Sequence, residues 1–230
     1  MSVSPRSGGD PAGELPSFFP SWDRLPPEIR AGLLENARER TARRGEALHD
    51  GTADCTGLLL VRAGLLRVFL LSEEGREATL YRLGPGEVCL FSASCAFRGA
   101  DYDLFITADR EASLWAIPSE VFETLTARSP LLAGCAGQLM AERFAQVARR
   151  MEEILWRRVD QRLAALLLEE LAAGGSPRLT VTHEELSRHL GCAREVVTRA
   201  LNGFRAEGSV RLGRGTVEIL DAAALARLTE

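Results

Sequence analysis

The chain has 230 residues, 46% of them hydrophobic, enough to bury a substantial core in one or two domains. Its net charge is −4, and all 28 basic residues are arginine, a compositional bias rather than a functional mark. No run of about eighteen apolar residues and no charged-then-apolar leader indicates a membrane span or signal peptide. Five cysteines without paired short spacings argue against a disulfide framework, so a cytoplasmic, reducing location is expected.

Residues 1–20 are rich in Ser, Pro and Gly and read as a disordered or loosely tethered terminus. A short helix is predicted from about Pro26 to Glu39. Short apolar runs separated by Gly-bearing turns follow: Gly57 to Arg62, a turn at Ala63-Gly64, Leu65 to Leu71, a turn over Ser72 to Gly75, Glu77 to Leu83, and a turn over Gly84 to Gly86. Strand-and-turn units of about eight to twelve residues indicate an antiparallel sandwich or roll. Leu104 to Ala108 and Ala112 to Ile117 complete it, so roughly residues 41 to 117 form a β-domain, within a unit taken as residues 21–128.

From Ser119 the apolar period changes from two to 3.6. Ser119 is placed to cap a helix reaching about Ala127, and Pro130 opens a long one carrying Leu131, Leu132, Cys135, Leu139, Phe144, Val147, Met151, Ile154 and Leu155. That is more helix than one small roll needs, and its apolar seam invites a second copy, so residues 129–157 are read as a dimerisation helix. A helix from Asp160 to Ala172 leads to the loop Gly174-Gly175-Ser176-Pro177.

Residues 158–230 read as a winged helix-turn-helix. Thr182 is a natural N-cap, with Glu185 three residues on for a capping box. Leu186 and Leu190 share a face, Gly191 suits a left-handed turn, and a second helix starts near Ala193 with Val196, Val197, Ala200, Leu201 and Phe204 inward. Its other face shows Arg194, Glu195, Thr198, Arg199 and Asn202, side chains able to hydrogen-bond base edges in a major groove. A Gly-rich hairpin carrying Arg214 follows as the wing. From Arg178 to Arg214 seven arginines face four glutamates, so positive charge gathers where phosphates would be met in a chain that is acidic overall. The candidate DNA-binding residues are Arg194, Glu195, Thr198, Arg199, Thr182, His183 and Arg214.

The order of these parts, and above all the run Gly191-Cys192-Ala193-Arg194-Glu195-Val196-Val197-Thr198-Arg199, resembles the Crp/Fnr family over about residues 20 to 225. The resemblance implies an α+β chain: an N-terminal antiparallel β-roll of the cyclic-nucleotide-binding jelly-roll type, a long dimerisation helix, and a C-terminal winged helix-turn-helix. It also implies a homodimeric transcriptional regulator that binds palindromic double-stranded DNA and meets RNA polymerase, with no membrane partner. In the family the positions matching Arg194, Glu195 and Arg199 read bases. Arginine suits bidentate contact with guanine and glutamate accepts from cytosine.

The resemblance places an effector pocket around Gly86, Glu87, Cys89, Cys95, Tyr102 and Asp103. Cyclic-nucleotide binders carry there an Arg-Ser or Arg-Thr pair whose guanidinium clamps the cyclic phosphate. If the strand after that pair begins at Leu104, Tyr102 and Asp103 take its place, and an aspartate repels a phosphate. Arg98, before Gly99, is the alternative cation. The effector is therefore expected not to be cyclic AMP. Cys89 and Cys95 are either buried packing residues or a redox or nitric-oxide sensor, and haem with His49 or a thiol as axial ligand is a further alternative. Residues 1–54 lack the Cys cluster of the family's iron-sulfur members, and the cofactor stays unassigned. Three histidines, His49, His183 and His189, form no evident metal set, and no catalytic triad or phosphate loop appears. No enzymatic activity is expected; the remaining rival is a winged-helix interaction module without DNA.

Overall fold

The computed structural model describes residues 9–50, 57–90 and 104–229. The chain forms two compact units, residues 1–69 with 80–147 and residues 70–79 with 148–230. These differ from the boundaries expected at 128 and 158.

In the first unit, Asp10 Oδ1 accepts from Ala12 N at 3.0 Å and opens α1 (Pro11–Glu14), which runs into a 3-10 turn over Leu15–Phe18. Leu15 and Phe18 are buried and join one core with Phe19, Trp22 and Leu25. This corrects the expected loose terminus from residue 10 onward; residues 1–8 lie outside the described residues. The Pro and Gly content hid two apolar anchors, and Glu14 adds a polar one. Its carboxylate accepts from Arg62 Nη2 at 2.8 Å and Trp115 Nε1 at 2.9 Å, and the Arg62 guanidinium holds its carboxyl below the usual range. Helix α2 (Pro27–Asn36) buries Ile29 and Leu33 in the same core.

The roll is an antiparallel sheet ordered β1-β6-β3-β4, with β2 on β6 and β5 on β3. The strands are β1 (Arg38–Ala42), β2 (Ala47–Asp50), β3 (Leu58–Leu71), β4 (Glu77–Leu83), β5 (Val88–Cys89) and β6 (Leu104–Ile117). One end of β6 pairs with β1, Ala42 opposite Ala112, and the other with β2, His49 opposite Ile106. Two expectations are corrected here. Ala63-Gly64 is not a turn: β3 runs through it, with Gly64 at φ +90°, and a Cβ there would stand 2.2 Å from the Glu111 carbonyl oxygen. The glycine admits a neighbouring strand's backbone instead of reversing the chain. Likewise the two runs after Leu104 are one strand. The sequence reading also missed β1 and β2, whose outward residues are charged or polar.

Helix α3 (Ser119–Arg128) buries Phe122 and Leu125; Pro118 holds the N-cap position, and the Ser119 side chain makes no capping bond. Helix α4 (Pro130–Trp156) has 27 residues, and Ser129 Oγ accepts from Leu132 N at 3.2 Å at its start. Leu132, Cys135, Leu139 and Arg143 form its buried row. A second row at alternating spacings of three and four, Gly134, Gly137, Ala141, Phe144, Ala148, Met151 and Leu155, is exposed along its whole length.

The second unit holds α5 (Val159–Gly174), α6 (His183–Leu190), α7 (Arg194–Ala206), α8 (Ala222–Thr229) and a small sheet ordered β7-β9-β8, from Arg178–Leu179, Thr216–Ile219 and Val210–Gly213. Leu163, Leu166 and Leu167 of α5, Leu186 and Leu190 of α6, Val197, Leu201 and Phe204 of α7, and Leu225 of α8 share its core. Among the described residues no helix is long and apolar enough to cross a membrane.

Candidate nucleic-acid interface

The capping box at the start of α6 forms as its sequence requires. Thr182 Oγ1 accepts from Glu185 N at 3.1 Å, and Glu185 Oε2 accepts from Thr182 N at 2.7 Å and from the Thr182 hydroxyl at 2.9 Å. The Thr182 hydroxyl is thus committed to the cap. At the other end Gly191 stands at φ 65° and its N–H bonds the Ser187 carbonyl, the left-handed cap that turns the chain into α7.

Helix α7 turns Val197, Leu201 and Phe204 inward, each buried; Val196 and Ala200, also expected inward, are half-buried at the edge of that stripe. Arg194, Glu195, Arg199 and Asn202 are exposed on the other side. Arg194, Glu195 and Arg199 make no hydrogen bond or salt bridge among the described residues. Guanidinium and carboxylate groups that stay unpaired on a rigid helix keep their full capacity for a partner. Thr198 differs, because its Oγ1 lies 2.9 Å from His183 Nδ1, the first residue of α6. Burial, then the charge of Arg194, holds the His183 pKa below its ordinary value, so the ring is neutral near pH 7.

The wing is β8 and β9 in register, Gly213 opposite Thr216, joined by Arg214-Gly215. Arg214 is exposed at its tip, while Arg211 pairs with Glu218 at 2.9 Å. The sequence reading missed the arginines that brace this unit. Arg162 is buried and donates to the Leu190 carbonyl, with burial pushing its pKa down. Arg150 donates to the carbonyls of His189 at 3.1 Å and Thr79 at 3.3 Å and to Glu153 at 2.8 Å, and Thr79 Oγ1 meets His189 Nδ1 at 3.2 Å. Long-range arginine-to-carbonyl bonds leave no periodicity in a sequence.

Of the expected effector residues, Gly86, Glu87 and Cys89 are described; Cys95, Tyr102 and Asp103 lie outside the described residues, as does Arg98. Glu87 is a structural pin, its carboxylate accepting from Gly84 N at 2.7 Å and from Arg143 Nη1 at 2.8 Å. Arg143 is buried, also bonds Gln146, and has its guanidinium 5.8 Å from the Tyr81 ring centre. Tyr81 is raised far above the ordinary phenol range, first by burial and then by the neighbouring Cys89. Cys89 is fully buried in β5, a setting unlike that of a solvent-accessible reactive thiolate. Gly86 also borders a cavity of about 400 Å³ lined by Glu14, Ser17 and Arg62.

Residues 39–129 match the cyclic nucleotide-binding domain and residues 161–228 the Crp-like helix-turn-helix domain. The cyclic AMP receptor protein of Thermus thermophilus is 34% identical over 168 residues, 73% of this chain and 77% of the relative. The transcriptional regulator SdrP of the same organism is 31% identical over 176 residues, 74% and 82% of the two chains. The crystal structure of a Crp/Fnr-family regulator from Eubacterium rectale is 42% identical, with a TM-score of 0.89 over 92% of this chain and 98% of that one. Roll, long helix and winged helix thus agree in order, fold and residue identity with these regulators, and the chain belongs to the Crp/Fnr family of transcriptional regulators.

Proposed function

We propose that this regulator is a cytoplasmic homodimer that reads a palindromic operator through Arg194, Glu195 and Arg199, steadies itself on phosphates through Arg214, and meets RNA polymerase there. The observation that carries the reading is the free, exposed charge of Arg194, Glu195 and Arg199 on a helix anchored by Val197, Leu201 and Phe204. The exposed row on α4 supports the dimer, since a symmetric duplex site requires a symmetric reader. Selection from random duplexes should enrich an inverted repeat with half-sites one helical turn apart. Failure to enrich any sequence, with binding equal on all duplexes, overturns the reading.

The roll controls this binding through a ligand other than cyclic AMP. The support is the sequence register alone: Tyr102 and Asp103, which lie outside the described residues, are the two residues before Leu104, where cyclic-nucleotide binders carry their arginine pair. An aspartate in place of that arginine would repel a cyclic phosphate rather than clamp it. Titration calorimetry should detect no micromolar cyclic AMP binding, although a 34% identical relative carries the name cyclic AMP receptor protein. Micromolar binding refutes this part and leaves the operator reading intact.

A further inference from the structure

Helical threonines in this chain ordinarily turn back on their own helix. Thr124 donates to the Glu120 carbonyl at 2.8 Å and Thr126 to the Phe122 carbonyl at 2.7 Å. Thr198 does not: its one hydrogen-bond partner among the described residues is His183 Nδ1 on the neighbouring helix, at 2.9 Å. The hydroxyl at the middle of the exposed recognition face is therefore held by the first residue of α6.

The polarity of that bond decides what Thr198 offers to DNA. A neutral imidazole carries one N–H. With the proton on Nδ1, the ring donates to Thr198 and the hydroxyl hydrogen is free to seek a base acceptor. With the proton on Nε2, Nδ1 accepts, the hydroxyl hydrogen is consumed, and Thr198 shows only lone pairs and a methyl group outward. Nε2 makes no hydrogen bond among the described residues, and His183 stands in the first turn of α6, where the helix favours anions. Were the DNA backbone to meet Nε2 at that helix end, this nitrogen would have to carry the proton. The half-buried ring beside Arg194 stays neutral near pH 7, which keeps the choice between these two tautomers.

We propose that His183 is a positioning residue for base readout: protonated on Nε2 and accepting the Thr198 hydroxyl at Nδ1, it makes Thr198 an obligate acceptor that selects an exocyclic amino group, adenine N6 or cytosine N4, at one base pair of each half-site. The inference rests on α7 being the recognition helix. It assigns a specificity role to a side chain of the preceding helix and states the chemistry of the base selected.

The test is a full single-base-pair substitution profile of the enriched operator, measured by fluorescence anisotropy for the full-length chain and its variants. Thr198→Val keeps the shape, removes the acceptor, and should cut discrimination at one base pair about tenfold. His183→Gln, whose amide takes the place of Nε2, and His183→Ala should lose preference at that same base pair and no other. His183→Asn, whose amide takes the place of Nδ1, should restore it. In the parent, ¹⁵N shifts of the ring should show a protonated Nε2 and a bare Nδ1. A keto base preferred at that position, a protonated Nδ1, equal profiles for the Asn and Gln variants, or a Thr198→Val profile identical to the parent overturns the proposal. Arg199→Ala in the same assay separates the two levels: if it changes the profile while these variants do not, only the His183 inference fails, and if it changes nothing, the reading of α7 fails with it.

Discussion

Arg199 and Glu195 are exposed, unpaired and on the same helix face, so losing either should leave the fold alone and, on the proposed reading, remove base contacts. Arg199→Ala and Glu195→Ala should each cost about 1–3 kcal/mol on the operator and relax preference at their own base pairs. Arg214→Ala, at the wing tip, should weaken all duplexes alike and lower the salt dependence by about one phosphate contact. Equal losses on operator and random duplex for all three variants would contradict this division. His183 gives a pH signature as well. Its folded pKa is depressed, so the unfolded chain binds the proton more readily; the associated stability is complete above the unfolded value of about 6.5 and is lost as pH falls below it. Melting of the His183→Gln chain should lack this acid-side decrement. The exposed face of α7 was legible because side-chain type and spacing place it opposite an apolar stripe. The His183–Thr198 bond was not, since it joins two helices through a turn whose angle no local pattern encodes, and the cap reserved the Thr182 hydroxyl that the sequence had offered to DNA.

At the scale of elements, the turns were read well where glycine reverses the chain and badly where it only thins it. Gly191 caps α6 as expected, whereas Gly64 lets β3 pass against the Glu111 backbone. Gly64→Ala faces both a positive φ and a backbone clash, and should destabilise the roll by at least about 2 kcal/mol in denaturant titration. Thr182→Ala removes one half of a capping box and should cost about 1 kcal/mol, lowering operator affinity only as far as α6 frays. A Gly64→Ala chain as stable as the parent would mean that the strand crossing relaxes freely. The long helix was legible over nearly its full length because 3.6-residue periodicity grows clearer with length. Strands β1 and β2 escaped because their outer residues, Arg38, Glu39, Arg40 and His49, break the apolar run while Ala42 and Leu48 turn inward.

For the whole molecule the exposed row on α4 is the feature that calls for a second chain. Phe144 is 74% and Leu155 68% exposed, large apolar side chains that a lone chain would leave in water. Light scattering should give twice the 25.1 kDa chain mass, and Phe144→Glu should shift it to one chain and reduce operator affinity at least tenfold at nanomolar concentration. A dimer unaffected by that charge would place the interface elsewhere.

The same row is graded in size, from Gly134, Gly137 and Ala141 at one end to Phe144, Met151 and Leu155 at the other. Two copies joined along it would bring their backbones to about 8 Å where the side chains vanish and to about 10 Å where they are bulky. Such a pair would diverge like the legs of a compass, its pivot near the glycines and its open end toward Trp156. With α4 some 40 Å long by its rise per residue, a change of a few degrees at that pivot would move the far ends of the two helices by ångströms.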